Sequence, residues 1–171
     1  VHVTVEALRA LRDKYREIKR LRDEHARGEA GDPKPAMVAL ARRFPGALRE
    51  LDELPMPMIA ERLALLEAAL EDGAPPPEWA RLQIGYHGLM RAVLRIKRLL
   101  ARRGDVAGRL EVVARAYVPA PDEPPLSAFD AAALDAIARP VDGRLNPWVF
   151  ERVAEACGVP ADAVRRALFL R

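Results

Sequence analysis

The sequence predicts an all-α protein, and three observations carry that prediction. Apolar residues recur at intervals of three and four along most of the chain, the period of a helix that buries one face. Glycines and prolines punctuate these runs where helices start and stop. Half of the 171 residues are hydrophobic and 31% are charged, the mixture of a globular chain with a packed core. The expected architecture is a helical N-terminal domain over 1–117 that carries a basic helix, a proline-rich linker over 118–126, and a small three-helix, helix-turn-helix-like unit over 127–171.

Val5, Leu8, Leu11, Tyr15, Ile18 and Leu21 form one stripe of a helix from about Thr4 to Arg27, ended by Gly28 and Gly31. Its Leu8, Leu11, Tyr15 and Ile18 register also fits a short heptad seam, so a homo-oligomer through this helix is one expectation. Arg22 and His25 occupy the next seam positions and favour a helix packed on its own domain. Asp32 and Pro33 read as an N-cap and first-turn proline for a short helix through Leu40, which Pro45 interrupts. A further short helix carries Leu48, Leu51 and Leu54, and Pro55 and Pro57 are expected to break the chain again. The next helix runs from Met58 to Asp72 with Gly73 as its cap, and the methionine-bearing elbow at 54–59 reads as core.

After Pro75, Pro76 and Pro77, the strongest periodicity in the chain runs through Trp79, Leu82, Tyr86, Leu89, Val93, Ile96 and Leu100, predicting a helix to Arg103 closed by Gly104. Asp105 is expected to cap a helix holding Val106, Leu110, Val113 and Tyr117. Four prolines and two acids within 118–125 then exclude a helix. Ser127, with Asp130 three residues on, predicts a capping box for a helix through Ile137. Asp142-Gly143 signals a turn, Asn146-Pro147 opens a helix to Cys157, and Gly158-Val159-Pro160 leads into a final helix ending near Arg171.

Composition narrows the chemistry. Of 28 cationic residues 24 are Arg and 4 are Lys, and Ser127, Thr4, Asn146 and Gln83 are each the only residue of their type. Hydroxyl and amide side chains, the ordinary furnishings of a substrate pocket, are thus nearly missing. One cysteine rules out an internal disulfide, and neither a membrane-length apolar run nor a basic-then-apolar leader occurs, so a cytoplasmic location is the expectation. His2, His25, His87 and Cys157 show no ligand spacing, and Glu67 with Glu71 lacks the adjoining histidine of a di-iron helix. No glycine-rich phosphate loop is present, and no cofactor is expected.

Charge is local. Between Arg91 and Tyr117 eight cations face two acids, a net +6 in a chain whose total is only +3. Arg91, Arg95, Arg98 and Arg102 step by four and three along one helix face, with Arg103 beside them, and such a ridge suits a phosphate backbone or an acidic partner. Val153, Ala154, Cys157, Gly158, Val159, Val164 and Ala167 supply the small residue, glycine turn and apolar offsets of a helix-turn-helix. With the helix after Ser127, this last quarter of the chain resembles the three-helix architecture of many DNA-binding domains. The resemblance implies Arg165 and Arg166 as base readers, although residues 118–171 sum to −2 and Asp162 opens the reading helix.

Gly85-Tyr86-His87-Gly88 places two glycines inside the strongest helix, each costing about 1 kcal/mol against alanine. Close approach of another helix is the ordinary compensation. An acid or base role for His87, with Tyr86 and Arg91, is the weaker reading, because the sequence sets no carboxylate beside it. The sequence therefore points to a non-enzymatic, nucleic-acid-associated, DNA-binding or regulatory protein. The alternative is a protein-protein adaptor or scaffold whose basic ridge meets an acidic partner.

Overall fold

The structure, a computed structural model, describes residues 3–28, 31–44, 46–103, 110–140 and 149–167. Among them are nine helices and no strand, so the protein is all-α. Among them, too, no helix is long and apolar enough to cross a membrane. The chain divides into two compact units, one of Val1–Ile84 with Asp162–Arg171 and the other of Gly85–Ala161. The proline-rich stretch 118–126 lies within the second of these, and Arg165 and Arg166 within the first.

In the first unit, Thr4 accepts from the Ala7 N–H at 3.1 Å and starts α1 (Val5–Arg27). Gly28, at φ 67°, ends it in the left-handed conformation that glycine adopts without steric penalty. Leu8, Leu11, Tyr15, Ile18 and Leu21 are buried as the stripe requires, whereas Val5 remains exposed. The heptad seam is thus occupied by the unit's own core. α1 packs against α3 (Ala47–Glu53) and α4 (Met56–Glu71), and α2 (Lys34–Arg43) packs against α3. Arg22 donates to the carbonyls of Leu51 (2.7 Å) and Leu54 (3.0 Å), satisfying acceptors that the end of α3 leaves without helical partners.

Two expected boundaries shift for local reasons. α4 begins at Met56 rather than after Pro57, because a proline in the first turn gives up an N–H that has no helical partner anyway. Pro33, not Asp32, stands at the N-cap of α2, while Asp32 accepts from the Lys34 N–H at 3.1 Å. Leu54 and Ile59 are fully buried and Met56 and Met58 pack, partly buried, on the core, as expected of the elbow, while Pro55 and Pro57 are exposed.

α5 (Glu78–Arg103) gives residues 78–84 to the first unit and the rest to the second. The second unit adds α6 (Leu110–Arg115), α7 (Ala128–Ala138) and α8 (Val149–Cys157), with α7 packing on both α6 and α8. Ser127 and Asp130 form the expected capping box at the start of α7. Arg115 donates to the Ala138 carbonyl at 3.2 Å, near that helix's other end. Leu89, Val93, Ile96 and Leu100 of α5 are buried, as are Leu134 and Ile137 of α7 and Val153 of α8. Gly158 turns at φ 70° and the Val159 N–H bonds the Ala154 carbonyl at 3.0 Å, after which α9 (Ala161–Ala167) follows. The caps and turns expected at Gly104, Asp105, Asp142-Gly143 and Asn146-Pro147, and the chain end beyond 167, lie outside the described residues.

Candidate functional site

A helix advances about 100° per residue, so Arg91, Arg98 and Arg102 lie within an arc of about 40° on α5, with Arg95 just beside them. All four are exposed, but they are not equivalent. Arg95 is ion-paired with Asp130, the same carboxylate that closes the capping box of α7. Burial pushes the Asp130 carboxyl up, but hydrogen bonds from the Ser127 hydroxyl and N–H and from Arg95 outweigh it and hold the group below the usual range. The guanidinium groups of Arg91, Arg98 and Arg102 make no hydrogen bond or ion pair to any described residue.

Arg103 sits off this arc and has other work. It pairs with Glu123, donates to the Val118 carbonyl at 3.2 Å, and lies 4.8 Å from the centroid of the Tyr117 ring. The Tyr117 hydroxyl in turn donates to Glu123 at 2.7 Å, and the Ala120 N–H donates to the same carboxylate oxygen at 3.1 Å. Those two bonds, with the Arg103 guanidinium, hold Glu123 below the usual carboxylate range. Of the five α5 arginines expected to meet a polyanion, three are thus unopposed among the described residues and two are built into the fold.

Arg165 and Arg166, the expected base readers, belong to α9 in the first unit. Arg165 stands 3.8 Å from Asp162, and Arg166 shares the rim of a shallow hollow of about 210 Å³ with Arg62, Glu78 and Trp79. Ala163, Val164 and Ala167 of α9 are buried, so one face of this short helix is committed to packing.

Sequence reasoning missed a second assembly. Lys14, Tyr15, Glu50 and Gln83 are at most 1% exposed and Arg62 is 7% exposed, and together they form one hydrogen-bonded cluster in the first unit. Lys14 is ion-paired with Glu50 and donates to Gln83 Oε1 at 2.8 Å. Tyr15 donates to Glu50 and accepts from Arg62 and from Gln83, each at 2.8 Å. Arg62 also reaches Glu50 at 3.2 Å, and its guanidinium lies 4.6 Å from the Trp79 ring. Arg62 (3.3 Å) and Gln83 (2.7 Å) both donate to the carbonyl of Ala167, an acceptor left over at the C-terminal end of α9.

Burial, stronger than the pull of Glu50, lowers the Lys14 amine from its ordinary value. Burial and the Glu50 charge push the Tyr15 phenol well above its own. Such groups are the raw material of acid–base chemistry, yet no substrate reaches side chains this deeply enclosed without the unit opening. Their effect is to fix the register of α1, α3, α4, α5 and α9 in the first unit, since every bond in the cluster is directional.

The signal for this cluster was present in the spacing. Lys14 falls on the apolar stripe between Leu11 and Ile18, Arg62 between Ile59 and Leu66, and Glu50 between Ala47 and Leu54. A polar residue on a buried stripe needs partners. Here the sole glutamine of the chain bonds Lys14, Tyr15 and Glu50.

At 85–88 the expected close approach is found for Gly88: a Cβ there would come 3.1 Å from the Phe129 ring of α7. His87 is buried, and burial raises the Tyr86 phenol above its ordinary value. No group of three or more His, Cys, Asp and Glu among the described residues is placed to hold a metal ion. The chain matches no protein family, no curated protein and no solved structure.

Proposed function

We propose that this protein binds a polyanion, foremost nucleic acid, without chemical turnover, and that Arg91, Arg98 and Arg102 are its phosphate contacts. One observation carries the reading: three exposed guanidinium groups share one face of α5 with no carboxylate answering them among the described residues. Guanidinium groups pair with phosphate oxygens through two parallel N–H donors, and fixed positive charge raises the encounter rate with a polyanion. Arg95 and Arg103 are engaged within the fold, tying α5 to α7 and to the 117–123 segment. Arg165 and Arg166 are not required by this reading, which rests on α5.

A salt titration against a duplex oligonucleotide tests it. Log affinity is expected to fall with log salt by about 0.9 for each phosphate neutralised. Replacing Arg91, Arg98 and Arg102 together by Ala flattens that slope by roughly three such increments. No binding of duplex, single-stranded DNA or RNA at low salt overturns the proposal.

A further inference from the structure

Beside the arginine face, in the second unit, lies a groove of about 430 Å³. Leu99, Tyr117, Pro124 and Pro125 give it an apolar lining, and Arg98 and Arg102 border it. Asp130 and Glu123 also line it, but each is already matched by a cation, Arg95 and Arg103. The net charge left at the groove is therefore that of Arg98 and Arg102. Tyr117 is held in its place before any ligand arrives, by the bond from its hydroxyl to Glu123 and by the guanidinium over its ring. A wall fixed in this way loses little entropy on binding.

We infer that this groove takes a single-stranded nucleic acid, with a base against Tyr117, Leu99 and the two prolines and neighbouring phosphates on Arg98 and Arg102. The inference rests on the polyanion reading and specifies it. Arg98 and Arg102 are one helical turn apart, roughly 6 Å along the axis, which suits successive phosphates of an extended strand. A duplex keeps its base faces stacked inside and offers the groove only phosphate, leaving the apolar lining unused. A single strand offers both charge and planar apolar surface, the combination on which sequence-tolerant single-strand binders rely. The groove also falls within the roughly 300–1,000 Å³ of small-ligand sites, room for one nucleoside and not for a double helix.

Fluorescence anisotropy on the full chain decides it, with four probes: an oligothymidylate of about ten nucleotides, within the usual site sizes, an abasic strand of equal length, a duplex, and a polyglutamate peptide. Oligothymidylate is expected to bind about fivefold or more tighter than the abasic strand, from stacking of one base, and tighter than the duplex. Tyr117→Ala brings the two single strands together, while Arg98→Ala with Arg102→Ala weakens both. Equal binding of abasic strand or duplex by the wild-type chain overturns the inference and leaves the polyanion reading standing. Binding of polyglutamate alone overturns it in favour of an acidic protein partner, and binding of no probe overturns both. The wild-type comparison needs no variant to fold.

Discussion

Gln83 Nε2 donates to the carbonyl of Ala167 at 2.7 Å, joining α5 to the end of α9 across 84 positions of sequence. The same nitrogen bonds Tyr15 and Glu50, so the chain's sole glutamine links the C-terminal helix to the buried charged cluster.

Gln83→Leu is therefore expected to destabilise the first unit by about 1–3 kcal/mol, since Lys14 and Tyr15 each lose a buried partner and the Ala167 carbonyl loses a donor. Hydrogen exchange should accelerate first in the amides of α9. Equal acceleration throughout the unit would mean that the bond does not hold this helix in particular.

Removing Glu50 should hurt more than removing Lys14. Glu50→Gln leaves Lys14 and Arg62 buried with no carboxylate between them, and breaking a buried ion pair costs about 3–5 kcal/mol. Lys14→Met leaves Glu50 still matched by Arg62, Tyr15 and Gln83 and fills the space with an apolar chain. Urea unfolding of the two variants gives the order directly, and the reverse order would contradict the charge assignment.

Stability should peak in the alkaline range. Lys14 is lowered from 10.5, so between its folded value and 10.5 the unfolded chain holds a proton that the folded chain lacks, and stability rises with pH. Tyr15 is raised well above 10.0, so beyond that value the unfolded chain loses a proton that the folded chain keeps, and stability falls. Lys14→Met should remove the rising limb and Tyr15→Phe the falling one, as read by denaturant midpoints across pH.

Gly88→Ala should change sign with its neighbour. In the wild-type chain the new methyl meets the Phe129 ring at 3.1 Å, which offsets the helix-propensity gain of about 1 kcal/mol. In a Phe129→Leu background the ring is gone and the same substitution should stabilise relative to that background. Thermal melts of the four chains in this cycle measure the coupling.

Asp130→Asn should release Arg95 to join the phosphate contacts. The duplex salt slope is expected to steepen by about 0.9, while the capping box at Ser127 weakens and costs on the order of 0.5–2 kcal/mol. An unchanged slope would place Arg95 outside the binding face.

What the sequence determined by itself is what neighbouring residues settle among themselves. The stripe of α1, the caps at Thr4 and Ser127, the left-handed Gly28 and Gly158 and the ridge on α5 all follow from contacts within a few positions. Such signals define an all-α chain because helix periodicity and capping are local interactions. The tertiary structure alone decided which charges are answered. Arg95 meets a carboxylate 35 positions away and Arg103 one 20 positions away, and Arg62 reaches a carbonyl 105 positions away. Whether a guanidinium is left for a ligand or consumed by the fold depends on chain folding that brings such distant partners together, and no local periodicity encodes that distance.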